Sequence, residues 1–222
     1  IKPSTMQTAR YSKPCITASN VLSIVFSPLF MPVYAMVIAL TATPLLWIPL
    51  RTRLMSLGVV ALLTAVLPIL LLYSLKAAGK ISDIDITNRK QRTLPILMML
   101  FCYGLTLWYI IGVHAPAWLV MFFVGGIASV IVLGIVTVVL KWKISMHGAG
   151  MGAIIGFVFA LMYYNLTLGE PLWLLIVAVL VAGLVGSARI ILNKHTIWQV
   201  VAGTTVAAVI TWGAVSLAIP AA

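Results

Sequence analysis

The chain has 222 residues, 63% of them hydrophobic and only 8% charged, with a formal net charge of +11. Soluble domains run about a quarter charged, so a soluble globular fold is excluded. A nucleic-acid-binding surface would need a soluble domain to carry it, so the positive charge points to membrane topology and anionic lipid contact instead.

Residues 1–20 read as a polar leader without an apolar stretch, and no cleavable signal peptide is expected there. Seven apolar segments follow, at 21–43, 54–78, 95–113, 118–140, 147–166, 171–188 and 197–219. A bilayer core of roughly 30 Å takes about 20 residues in helical form. The alternating segments of a β-barrel are absent. The expected fold is therefore all-α: one polytopic transmembrane helical bundle over 1–222, with six or seven spans, in a bacterial inner membrane. Cys15 in the leader and Cys102 in the third segment make neither a disulfide framework nor a metal knuckle. Glycines crowd the last three segments, among them Gly148, Gly152, Gly156 and Gly203, and read as positions of close helix packing.

Counting spans sorts the loops onto two faces. The leader and the loops after spans two, four and six share face A; the other loops share face B. Of the 14 Lys and Arg, only Arg51 and Arg53 fall on face B. The positive-inside bias makes face A cytoplasmic. Three stretches on this face carry clustered chemistry: "KISDIDITNRKQRTLP" (80–95), "KWKISMHGAG" (141–150) and "ARIILNKHTIWQVVAG" (188–203).

His195 and Gln199 are four apart, on one face of a helix. A Gln carbonyl that accepts the Nδ1 proton leaves Nε2 as the nucleophilic nitrogen. His147 opens another helix beside Ser145, and helix N-termini favour phosphate oxygens. Together these residues predict a phosphoryl-transfer site. Arg189, some of Arg89, Lys90 and Arg92, and Lys141 or Lys143 would neutralise the phosphate, with Ser145 donating to one oxygen. His195 would attack phosphorus, and His147 would protonate the leaving alkoxide and then activate water.

"ISMHGAG" resembles the P-S-G-H element, and "SARIILNKHTIWQVVAG" the S-R-x5-H-x3-D-x3-G element, of the type 2 phosphatidic acid phosphatase (PAP2) superfamily. The resemblance spans roughly residues 141–205. It implies a helical-bundle, metal-independent, cofactor-free phosphatase acting on membrane lipid phosphates through phosphohistidine. By it, His195 falls on the nucleophile, His147 on the acid/base histidine, and Ser145 and Arg189 on phosphate ligands. Gln199 stands where the family has an orienting Asp, and Ala188 and Met146 replace a Ser and a Gly. The K-x6-R-P element has no clean copy, and Arg89 and Arg92 are expected to share its role.

Two other functions compete. An Asp-rich magnesium site for prenyl or alcohol-phosphate transfer needs several carboxylates, and the chain has only Asp83, Asp85 and Glu170, the last on face B. A PAP2-like lipid-binding or transport protein with little or no activity is the second, and Gln199 is its best support. The sequence leaves open which lipid phosphate is bound and whether the chain self-associates.

Overall fold

The computed structural model describes residues 11–84, 86 and 91–219. Arg89, expected to share in phosphate binding, and Asp85 lie outside the described residues. No strand occurs among those described, and seven helical stretches are long and apolar enough to cross a membrane. The chain is a multi-pass all-α membrane bundle.

The first span differs from expectation. It starts at Lys13, inside the expected leader, and consists of α1 (Lys13–Val25), a 3-10 turn at Pro28–Phe30 and α2 (Met31–Ala42). Two proline effects account for this. Pro14 sits in the first turn of α1, where its missing N–H costs nothing. Pro28 cannot donate to the turn before it, so the helix breaks there. Of the polar residues in the expected leader, Ser19 is buried while Ser12, Lys13, Thr17 and Asn20 stay exposed, and Ser23 beyond it is buried as well.

The second span, α3 (Leu50–Ala61) and α4 (Leu67–Ala77), is joined by a π turn over Leu62–Val66 just ahead of Pro68. Widening the turn relieves the clash between a proline ring and the carbonyl four residues back. The remaining spans are unbroken: α5 (Thr93–Gly112), α6 (Ala117–Val138), α7 (Met146–Tyr163), α8 (Leu172–Ile191) and α9 (Ile197–Ser216). Their ends fall within a few residues of the hydrophobic segments.

Helices α7 and α9 form the tightest pair. A methyl group at Gly152 would overlap the Thr204 carbonyl, and one at Gly156 the Ala208 carbonyl. The two backbones therefore touch at both positions, which lipid-solvated helices achieve with small residues in register. Helix α6 covers the other side of α9, while α8 packs on α7 and carries α1. The aromatic centre of the core joins α6 to α7, with Phe122 and Phe157 ring centroids 4.5 Å apart. Because α7 and α9 run in contact, the residues at their starts are held together.

Candidate active site

Two local structures fix the loop that carries His195. At the end of α8, Asn193 adopts a left-handed conformation, with φ 52°. Its N–H donates to the Ile190 carbonyl, and the Lys194 N–H to the Arg189 carbonyl. This pair of bonds is a Schellman stop, for which Asn is a tolerated alternative to Gly. Three residues later Thr196 and Gln199 form a capping box that starts α9. Between stop and start sits His195, with Arg189 on the last turn of α8.

The capping box also settles the protons on His195. Gln199 Oε1 accepts from the Thr196 N–H at 3.2 Å and lies 3.1 Å from His195 Nδ1. A backbone N–H can only donate, so the atom facing it is the amide oxygen. An oxygen can only accept, so His195 Nδ1 carries hydrogen. In the neutral ring Nε2 therefore holds the lone pair. Burial pushes the His195 pKa down to about 3, helped by the nearby Lys143, Arg189 and Arg92 and opposed by the Gln199 bond. The ring is neutral at physiological pH.

The acid/base candidate is placed by the partner helix. Ser145 accepts from the Gly148 N–H and caps α7. Its own N–H donates to the Gln199 carbonyl at 3.1 Å, so the starts of α7 and α9 are tied directly. His147 lies on the first turn of α7, with Nε2 3.0 Å from the Ser23 carbonyl of α1. A carbonyl accepts only, so Nε2–H donates and the neutral ring has its lone pair on Nδ1.

Arg92 closes the arrangement from the start of α5. It is 8% exposed, and its Nε donates to the Ile86 carbonyl at 3.1 Å. Its Nη1 is buried without a hydrogen-bond partner among the described residues. Burial, then Arg189, lowers its pKa, while Asp83 acts the other way. Two guanidinium groups close enough to repel favour an anion at this end of the site.

His195, His147, Arg92 and Arg189 line one cavity of about 510 Å³. Its remaining wall is largely apolar and comes from the α1–α2 break, α4 and α5, including Phe30, Leu72, Pro95 and Met99. One end of the cavity is thus cationic and the other greasy.

Three expected phosphate ligands stand apart from that lining. Ser145 is fully buried and acts as the α7 cap. Lys141 is exposed, in a left-handed turn with φ 57°. Lys143 is half-buried and its Nζ donates to the Lys194 carbonyl at 3.0 Å, fastening the α6–α7 loop to the α8–α9 loop. Its pKa is lowered by burial first and by Arg92, Lys194 and Arg189 next, against Asp83. Lys143 adds positive field at His195, and neither lysine lines the cavity.

Sequence reasoning missed Ser23 and Thr137, both buried on the cavity wall. A single hydroxyl on an apolar helix carries no spacing signal. It also missed the T-x-x-Q capping box, which was legible at 196–199.

Comparison with models of known protein families, with characterised proteins and with solved structures finds no match for this chain.

Proposed function

We propose that this protein is a membrane-embedded phosphatase that hydrolyses a lipid phosphate through a phosphohistidine, without a metal, as the PAP2-like residue pattern implies. The observation that carries the reading is the single cavity in which two histidines with defined protons meet two buried arginines and an apolar wall. The arginines suit a phosphate group, and the wall suits a chain attached to it.

The reaction follows from the proton positions. His195 Nε2 attacks phosphorus, forming the N–P bond as the P–O bond to the lipid breaks. The ring becomes cationic, and Gln199 Oε1 keeps it oriented through Nδ1–H. His147, entering as imidazolium with Nε2–H on the Ser23 carbonyl, gives its Nδ1 proton to the leaving alkoxide. In the second step His147 Nδ1 takes a proton from water, whose oxygen attacks phosphorus and breaks the N–P bond. Phosphate leaves and both rings return to their starting states. Arg92 and Arg189 hold the equatorial oxygens, and electrostatic stabilisation of this kind supplies most of phosphoryl-transfer catalysis.

Gln199 also favours a second reading, a lipid-binding protein of little activity. A neutral amide stabilises the developing imidazolium less than a carboxylate would. Phosphate release from a lipid phosphate by the purified protein separates the readings. EDTA-insensitive, vanadate-sensitive release is the expected result. Binding without release would leave the second reading.

A further inference from the structure

Hydroxyls inside apolar helices ordinarily bond the carbonyl four residues back. Thr41, Thr43, Thr64, Ser74, Thr106 and Thr204 all do so here, at 2.6–3.0 Å. Ser23 does not. Its Oγ is buried without a partner among the described residues, and the residue is 8% exposed. Ser129 and Thr211 are also buried and unpartnered, but neither lines the large cavity, whereas Ser23 does. The same residue holds His147 through its carbonyl at 3.0 Å. Ser23 therefore adjoins, on its Nε2 side, the imidazole whose Nδ1 would protonate the leaving oxygen. Beyond it, at the α1–α2 break, Ile24, Leu29 and Phe30 continue the wall as apolar surface.

We propose that Ser23 determines specificity at the leaving-group side of the cavity. Its hydroxyl donates to an oxygen carried by the substrate just beyond the bond that breaks. The preferred ligand is then a lipid phosphate with an oxygen acceptor at that place, from either a second phosphate or a glycerol ester. A bare alkyl or prenyl monophosphate offers none. A buried donor that gains its partner only when substrate binds discriminates strongly, because the wrong ligand leaves it unpaired. This inference rests on the phosphatase reading for the direction of the substrate, but it is tested by binding alone.

The probes are three non-hydrolysable single-chain ligands of equal tail length: an alkyl phosphonate, the matching methylene-bisphosphonate, and a phosphonate joined to its tail through a glycerol ester. Their affinities for the detergent-solubilised full chain are measured by calorimetry, for wild type, Ser23→Ala and Ser23→Thr. The bisphosphonate gains from its charge in every variant, so the deciding quantity is the change in preference on substitution. Ser23→Ala is expected to lower the preference for one oxygenated probe over the alkyl phosphonate by about tenfold, equivalent to about 1.4 kcal/mol. Ser23→Thr, which keeps the hydroxyl, retains it. The probe that loses its advantage identifies the second phosphate or the glycerol ester as the acceptor. Equal preferences in wild type and Ser23→Ala would overturn the proposal, as would failure of all three probes to bind. Binding with the expected preference but without phosphate release from hydrolysable lipids would leave Ser23 in this role and remove the phosphatase reading.

Discussion

At the scale of single residues, Gln199 accepts two hydrogen bonds at one oxygen, and they have different consequences. The bond from Thr196 starts α9; the bond from His195 Nδ1 leaves the lone pair on Nε2, the nitrogen that attacks in the proposed mechanism. Gln199→Leu removes both. Losing the orienting partner of a catalytic histidine costs on the order of 10⁴ in turnover, whereas a lost cap costs about 1 kcal/mol of stability. The expected outcome is a folded protein with very low kcat and little change in KM. Gln199→Glu keeps both acceptors, and a capping box accepts Glu as readily as Gln, so it is expected to stay active. Wild-type kcat in Gln199→Leu would show that the side chain serves packing alone. The ring can also be observed directly. Its depressed pKa means that His195 protonates only near pH 3, so it should stay neutral as pH falls through the ordinary histidine value of about 6.5. Nitrogen-15 NMR of labelled protein should show an Nδ1–H tautomer without titration between about pH 4 and 8. A midpoint near 6.5 would contradict the buried, cation-flanked site.

At the scale of elements, the site depends on how closely α7 and α9 approach. Gly152 touches nothing in the cavity, yet a side chain there must displace the Thr204 backbone. Gly152→Val is expected to lower stability by at least about 1–3 kcal/mol, as overpacking does, and to abolish activity by separating His147 from His195. Gly183→Ala, where a methyl meets open space, should leave both unchanged; thermal unfolding in detergent and a turnover assay check the pair. These helices were legible in the sequence, because apolar runs of span length and four-residue glycine spacing are strong local signals. The first span was less so. Residues 1–20 read as a polar leader, but α1 starts at Lys13 and packs on α8, burying Ser19 while Thr17 and Asn20 stay exposed, and such packing is decided by tertiary structure. The four polar residues lining the cavity's cationic end were also legible, since charged and imidazole side chains at helix ends stand out in an apolar chain. Ser23 was not, because its significance lies in a bond it fails to make. Ser145, Lys141 and Lys143 were expected at the phosphate; none lines the cavity, because Ser145 caps its helix, Lys143 reaches the Lys194 carbonyl and Lys141 sits exposed in a left-handed turn.

At the scale of the whole molecule, Arg92, His147, Arg189 and His195 of the cavity lie at helix ends on the face expected to hold most basic residues, and the positive-inside bias would place that face in the cytoplasm. Exposed positions on opposite faces test this. Lys141 and Glu170 are both exposed, one on each side of the bundle. In a background with Cys15 and Cys102 replaced by Ser, a membrane-impermeant thiol reagent should label Glu170→Cys in intact cells. Lys141→Cys should react only after permeabilisation, and the reverse pattern would put the site on the outer face. Whichever side it occupies, the account stands or falls on a covalent bond between phosphorus and His195. The most direct measurement is to incubate purified His147→Ala with a lipid phosphate radiolabelled in its phosphate, quench in base, and map the label. In that variant water activation is lost, so acid-labile, base-stable label should accumulate on His195 and be absent from His195→Ala. Substantial phosphate release by His195→Ala, or label on another residue, would contradict the account.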